Sequence, residues 1–112
     1  MMTRKQCYRN RAMRMALGLK QEEVADLIGI SIGMVSMYER DLVDTEAYDA
    51  PIANALNEVK ARMVQKMGYW YSSYIDNKAA LHEIEVYLEL DGHVPTEVIS
   101  HAKTCAIVFS GV

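Results

Sequence analysis

Apolar residues recur three and four positions apart through the first two thirds of the chain, which places them on one face of a helix. The pattern predicts four helices, at about residues 4–17, 21–28, 32–40 and 49–67. Glycines follow three of these helices, as is typical of helix ends: Gly18, Gly29 and Gly68. Ser31 is a predicted N-cap, Asp49 with Pro51 marks the start of the fourth helix, and Gly29 is expected to adopt a positive φ.

Two periods compete between residues 81 and 90. A helix would place Leu81, Ile84 and Leu88 on one face, while the stretch from 84 to 90 also alternates between apolar and polar positions, as a half-buried strand does. The helical surroundings favour a helix. We therefore predict an all-α fold, with a short strand at 84–90 as the alternative.

An aromatic cluster precedes this ambiguous stretch, and a last helix follows it. Asp76 and Asn77 come after the cluster and form a candidate helix cap. Pro95 is a typical opening residue for the last helix. The residues predicted to face inward from this helix are Val98, Ile99, Ala102, Cys105 and Phe109.

The stretch QEEVADLIGISIGMVSMYER, residues 21–40, has the pattern of two helices joined by a tight turn. Ala25 is small, as it must be where the second of these helices crosses close to the first. Gly29 makes the turn, and Val35 and Tyr38 are spaced to face inward from the second helix. This spacing is what two helices that cross at a steep angle require.

The region from 9 to 56 resembles the helix-turn-helix family of phage repressor and Cro proteins, the XRE family. The family's pattern appears here as Arg14, Gly18-Leu19, Gln21, Ala25, Gly29-Ile30-Ser31, Val35 and Tyr38-Glu39, followed by IANAL in the fourth helix. The resemblance covers somewhat under half of the chain. It implies an all-α fold, usually dimeric, that binds operator DNA.

The resemblance also implies roles for particular residues. Arg14 and Glu39 match the family's internal ion pair between its first and third helices. Gln21 is expected to meet a DNA phosphate at the start of the second helix, with Lys20 beside it. The positions of the third helix expected to face the DNA groove are Ser31, Ile32, Gly33, Ser36, Met37 and Arg40.

The third helix carries few side chains suited to reading bases. Bidentate Arg, Asn or Gln contacts discriminate best, at about 1–3 kcal/mol each, and only Arg40 has that capacity. Ile32 and Met37 can pack on thymine methyl groups, and Gly33 lets the backbone approach the groove closely. We expect modest base discrimination, with phosphate contacts supplying most of the affinity. The alternative is that this apolar surface contacts a protein.

Charge is distributed unevenly along a chain whose net charge is −3. The first 20 residues hold six basic residues and no acid, while residues 46–112 hold five bases and nine acids. This asymmetry predicts a basic front that faces a polyanion, with Arg9 and Arg11 among its DNA contacts. The simpler alternative is a solvated helix face.

Two features depart from the family. Asn10 stands where the first helix usually buries an aliphatic residue, and ALNEVKARMVQKM runs on where the family's fourth helix is usually broken by glycine. We expect this extension and the aromatic cluster to form a dimer contact. The residues assigned to it are Val59, Met63, Met67, Trp70, Tyr71 and Tyr74. The alternatives are that they complete the core of the monomer or line a ligand pocket.

Other kinds of site receive little support from the sequence. His101 and Cys105 are spaced to share a metal, with His82 and His93 as further ligands, but such pairs are common by chance, so we expect no metal site and no cofactor. The chain has no phosphate-binding glycine loop, HExxH motif or nucleophile elbow, and we do not expect an enzyme. No apolar run approaches the roughly 20 residues of a membrane helix, and no signal peptide is recognisable.

These observations predict a cytoplasmic, homodimeric regulator that binds double-stranded DNA. Residues 1–66 would form the helix-turn-helix DNA-binding module, and residues 67–112 a C-terminal helical dimerisation segment. A repressor of a phage or other mobile element, reading a palindromic operator, or an antitoxin fits this size and layout. The alternative is a helix-turn-helix fold used for contact with a protein partner, such as a toxin or another regulator, with weak or no specific DNA binding.

Overall fold

The computed structural model describes residues 5–90 and 92–110, and the side chains among them up to Cys105. The described residues form six helices: α1 (Gln6–Ala16), α2 (Gln21–Ile28), α3 (Ile32–Glu39), α4 (Glu46–Met67), α5 (Tyr69–Leu90) and α6 (Thr96–Ser110). None of these residues lies in a β-strand, so the predicted all-α fold is confirmed. Within the same ranges, no helix combines the length and apolar character needed to cross a membrane.

The ends of α2 and α4 and the start of α3 agree with the sequence pattern. Gly29 ends α2 in the left-handed conformation, with φ at 73°, and Gly68 ends α4 with φ at 85°. The hydroxyl oxygen of Ser31 accepts a hydrogen bond of 3.1 Å from the backbone N–H of Met34, which is the expected N-cap of α3. The predicted start of α1, at about residue 4, lies outside the described residues.

The predicted start of the fourth helix was wrong. α4 begins at Glu46, after Thr45, so Pro51 lies inside the helix and Asp49 does not cap it. The carboxylate of Asp49 instead accepts a hydrogen bond from the hydroxyl of Tyr38. A residue that resembles a cap in sequence therefore forms a partly buried contact with α3 instead.

α5 resolves the ambiguity in the last third in favour of a helix. It runs without a break from Tyr69 to Leu90, so the alternative of a short strand at 84–90 is wrong. Asp76 and Asn77 lie within the helix, and the prediction that they cap one is also wrong. Buried residues recur along α5 at helical spacings because it packs along its length: Ile75, Ala79, Ala80, Glu83, Val86 and Tyr87.

The core of the helix-turn-helix region extends into the C-terminal helices. Ile75 and Ala79 of α5 belong to the same buried cluster as residues in or next to the first four helices, which are Cys7, Ala16, Leu17, Val24, Ala25, Val35, Tyr38, Ile52 and Leu56. α5 lies mainly along α1. The C-terminal segment therefore does not hang free of the module but covers one side of α1.

α6 packs on α5 and buries only part of the face expected to point inward. Val98 and Ala102 are buried, and Cys105 is half-buried. Ile99, which was expected inward, is exposed. The side chain of Phe109 lies outside the described residues.

Candidate nucleic-acid interface

Helices α2 and α3 cross closely around a small buried residue. Ala25 is buried where the two helices meet, and its carbonyl oxygen accepts from the backbone N–H groups of Gly29 (2.8 Å) and Ile30 (3.0 Å). Val35 is fully buried on the facing side of α3. These contacts hold α3 at a set angle and leave its opposite face turned outward.

The outward face of α3 contains the positions that were expected to meet a DNA groove. Ser31, Gly33 and Arg40 are exposed, and the side chain of Ile32 is 48% exposed. Ser36 and Met37 are only half-buried. The structure therefore brings all six positions to one accessible surface, although the second turn of the helix is partly covered.

The space above Gly33 on this surface is nearly empty. A Cβ atom at this position would meet only the hydroxyl oxygen of Ser31, at 3.9 Å, which is an ordinary van der Waals distance. The backbone conformation of Gly33 is helical, so it does not require glycine. The glycine is thus not required by the fold of α3 itself.

Arg14 and Glu39 form the centre of a network that joins α1, α2 and α3. The Arg14 guanidinium donates to the Glu39 carboxylate from Nε (2.6 Å) and from Nη2 (3.0 Å), in a nearly buried pair. Its Nη1 donates to the carbonyl oxygen of Leu19 at 2.7 Å. A planar guanidinium is suited to such several-fold contact, and a buried pair of this kind is costly to break.

Gln21 joins the same network rather than pointing freely outward. Its side-chain Nε2 donates a hydrogen bond of 2.9 Å to the carboxylate of Glu39. This contact fixes the start of α2 relative to the end of α3. The second N–H of the amide and the backbone N–H groups of the first turn are the donors available at the start of α2 to an approaching phosphate.

The basic residues that the structure describes between positions 5 and 20 are not gathered on one face. Lys5 pairs with Asp41, and Arg11 forms an ion pair of 3.5 Å with Glu89 of α5. Arg9 lies at a polar cavity of about 200 Å³ that is also lined by residues of α4, α5 and α6. The structure thus places Arg9 and Arg11 towards the C-terminal helices. Lys20 and Arg40 are exposed cations at the start of α2 and at the end of α3.

Asn10 takes part in a buried hydrogen-bond network that sequence reasoning missed. Its Nδ2 donates to the hydroxyl of Tyr38 (2.8 Å) and to the carbonyl oxygen of Asp49 (3.2 Å), and that hydroxyl donates to the Asp49 carboxylate (2.7 Å). Burial raises the pKa of the Tyr38 hydroxyl, and the hydrogen bond to Asp49 raises it further. The sequence did offer a signal for this network, which is the polar character of Asn10. Asn10 lies four positions before Arg14 and therefore on the same face of α1.

The residues assigned to a dimer contact divide into two groups. Val59, Met63, Tyr71 and Tyr74 are half-buried and pack against the core of the monomer, and the two tyrosine rings stack with centroids 6.0 Å apart. Met67 and Trp70 are 64% and 56% exposed. The second group is thus the more exposed of the two.

His101 and Cys105 adjoin each other on α6, with Nε2 and Sγ 3.6 Å apart. In the part of the chain that the structure describes, no group of three or more His, Cys, Asp or Glu residues is placed to hold a metal ion. Burial raises the pKa of the Cys105 thiol.

Comparison with protein families gives one finding. Residues 11–46, which span the second half of α1, all of α2 and α3 and the loop to α4, match the helix-turn-helix family. The match covers less than half of the chain, and it bears out the resemblance that the sequence motifs carried. Neither curated proteins nor solved structures provide a significant match.

Proposed function

We propose that this helix-turn-helix protein of the XRE family, a DNA-binding transcription regulator, is a homodimeric repressor that reads a palindromic operator. The observation that supports this most is the α2–turn–α3 unit. Its inner face is buried by Ala25, Val35 and Tyr38, while the six candidate groove positions of α3 share the opposite face. A helix presented in this way fits the major groove of B-form DNA.

Base reading in this proposal rests mainly on shape and methyl contacts. Ile32 and Met37 would pack on thymine methyl groups, and Ser31 and Ser36 can donate to or accept from either kind of base pair. Arg40 is the one groove-facing side chain able to make a bidentate contact. We expect an operator with A·T-rich half-sites, read with modest discrimination at each position.

Phosphate contacts in this proposal come from a small set of groups. Lys20, the backbone at the start of α2 and Arg40 adjoin the exposed face of α3, while Arg9 and Arg11 lie towards α5. Each neutralised phosphate contributes a slope of about −0.9 to the dependence of log affinity on log salt. The salt dependence should therefore be shallower than six basic residues in the N-terminal segment would suggest.

Dimerisation would supply specificity that a single α3 lacks. A homodimer can place its two α3 helices in successive major grooves, about 34 Å apart. Residues 1–66 would hold the DNA-binding surface and residues 67–112 would take part in association. A cytoplasmic repressor of a phage, a plasmid or another mobile element, or an antitoxin that represses its own operon, fits this arrangement.

The experiment that tests this function is selection of bound duplexes from a randomised DNA pool at near-physiological salt, followed by sequencing. We expect a two-fold symmetric motif with half-sites about one helical turn apart. Met37→Ala should change the preference at an A·T position of that motif. Leu88→Ala, which truncates an exposed residue on α5 far along the chain, is the matched control and should leave the motif unchanged.

A protein partner is the second candidate, because the exposed face of α3 is unusually apolar. Ile32 is about half exposed, Met37 lies on the same face, and few cations adjoin them. Methionine adapts to irregular partner surfaces. If no duplex is retained from the pool at any salt concentration, the operator-binding proposal fails and this second candidate replaces it.

A further inference from the structure

A groove of about 520 Å³ runs between α2 and α4, apart from the exposed face of α3. Its apolar lining comes from Leu19, Leu27, Val59 and Met63. Leu27 is 47% exposed, and Val59 and Met63 are half-buried. The groove therefore presents apolar side chains that the described part of the monomer covers only in part.

The two edges of the groove carry opposite charges. Glu23 and Asp26 stand three residues apart on α2, and Arg62 and Lys66 stand four apart on α4, so each pair lies on one face of its helix. All four residues are exposed. The ion pairs found among the described residues do not join the two edges.

The apolar surface continues past the end of the groove along α4. Met67 follows Met63 by four residues and therefore lies on the same face, one turn further on. It is 64% exposed. A partner that filled the groove would also cover Met67.

We propose that this groove is the homodimer interface and that its occupant is a second copy of the chain. In a two-fold dimer each residue of the interface meets the position to which the axis carries it. An axis that runs along the groove brings the acidic α2 edge of each copy opposite the basic α4 edge of the other. Met67 of each copy then lies at the same end of the interface as Met67 of its partner, where the two side chains extend the shared apolar surface.

The arrangement of the charges is what favours a second copy over a different protein. A groove with edges of one sign would repel itself, whereas edges of opposite sign are self-complementary under a two-fold rotation. The apolar lining would supply most of the affinity, because exposed ion pairs individually add little. The charges would set the register and exclude wrong orientations.

This inference rests on the proposed function for its biological purpose, and it goes beyond the dimer contact expected from the sequence. It adds α2, through Glu23, Asp26 and Leu27, to that contact. It removes Tyr71 and Tyr74, which do not line the groove. Because α2 also carries Gln21, dimer formation would bear directly on the helix that approaches DNA.

Charge reversal tests the interface with the full chain in the absence of DNA. In Glu23→Gln/Asp26→Lys the new amide oxygen at 23 can still accept the backbone hydrogen bond of Lys20, which the Glu23 carboxylate accepts at 3.0 Å. Arg62→Glu/Lys66→Glu reverses the other edge. Sedimentation velocity should show a wild-type dimer and, for each double variant alone, self-association weaker by about tenfold or more.

Mixing the two double variants is the decisive step. The reversed α2 edge of one variant then faces the reversed α4 edge of the other, and the two unreversed edges face each other. Opposite charges meet on both sides, so a heterodimer should form with close to wild-type affinity. A chain carrying all four substitutions should regain its own dimer. Glu22→Lys is the matched control, because Glu22 is exposed on the same turn of α2 outside the groove, and it should leave association unchanged.

Several outcomes would overturn the inference. The inference fails if the wild type is monomeric or if the double variants remain dimeric. It also fails if the mixture does not associate although each variant gives a helical circular dichroism spectrum. If a double variant does not fold, Met67→Glu replaces it, since that exposed position should abolish the dimer without affecting the core. A Met67→Glu protein that stays dimeric would equally contradict the proposal.

The interface and the proposed function can fail separately. A wild-type dimer that responds to charge reversal but retains no duplex from the DNA pool keeps the interface and removes the operator-binding proposal. Conversely, the protein could bind a two-fold symmetric DNA motif as a dimer whose stability does not change on charge reversal. That result would support the operator-binding proposal and contradict the interface.

Discussion

The side-chain amide of Asn10 and the hydroxyl of Tyr38 are joined by a buried hydrogen bond of 2.8 Å. The same hydroxyl donates to the carboxylate of Asp49, so one residue from each of α1, α3 and α4 meets at this point. These hydrogen bonds explain why α1 carries the polar Asn10 where an aliphatic residue is expected. It also connects the base of α3 to the two helices that support it.

We expect Tyr38→Phe to lower the free energy of unfolding by about 1–3 kcal/mol, because it leaves the buried Asn10 amide and the partly buried Asp49 carboxylate without their shared hydroxyl. Asn10→Leu should cost a comparable amount. The double variant should lose less than the sum of the two, since the residues belong to one network. Urea denaturation followed by circular dichroism measures all three, and strictly additive losses would show that the two side chains act independently.

Gly33→Ala should raise the free energy of unfolding by up to about 1 kcal/mol, because alanine favours the helix and its methyl group meets no obstacle. The same change should weaken operator binding if the backbone of α3 lies against the edge of the groove. Thermal unfolding and a titration with labelled duplex give the two quantities. Higher stability together with unchanged affinity would show that DNA does not approach this position closely.

Lys20→Ala and Arg40→Ala should each weaken binding to all duplexes and flatten the salt slope by about one unit. Arg11→Ala should leave the slope unchanged, because Arg11 pairs with Glu89 on the side of α5. Fluorescence anisotropy over a range of salt concentrations measures these slopes. A loss of preference at a single base pair, with the slope intact, would instead identify Lys20 or Arg40 as a base-reading residue.

Cys7 should react slowly with iodoacetamide at neutral pH and fully only after unfolding. Burial raises the pKa of its thiol to about 11, so little thiolate forms and the sulfur is also covered. Cys105 is half-buried and should be labelled first in the folded protein. Mass spectrometry of partially labelled protein decides the order, and earlier labelling of Cys7 would contradict its burial in the core.

Because the pKa of the Cys7 thiol is raised on folding, Cys7 should lower the stability of the protein at alkaline pH. The thiol loses its proton near its ordinary value of 9.0 in the unfolded chain but only near 11 in the folded one. Between these values the unfolded state binds fewer protons, so stability falls as pH rises. The wild type should therefore lose more stability than Cys7→Ala from pH 9 to pH 11, measured by urea denaturation. Parallel curves for the two proteins would show that the thiol does not titrate differently on folding.

Local sequence signals predicted the helix-turn-helix unit well. The glycine at 29, the serine cap at 31 and the spacing of Ala25 and Val35 depend on backbone conformation and helical period over short windows, and the structure agrees with them. Short-range signals were misleading at Asp49 and at Asp76-Asn77. Both are ordinary helix-start residues in sequence, and both lie inside longer helices.

The sequence by itself determined an all-α chain, the family motif and the candidate reading face of α3, because helical period, glycine stops and capping are local properties. Only the tertiary structure decided where the charges lie. The packing of α5 along α1 takes Arg9 and Arg11 towards the C-terminal helices, and the crossing of α2 and α4 sets an acidic edge opposite a basic one. Such placements depend on contacts between residues far apart in the chain, which no local pattern records.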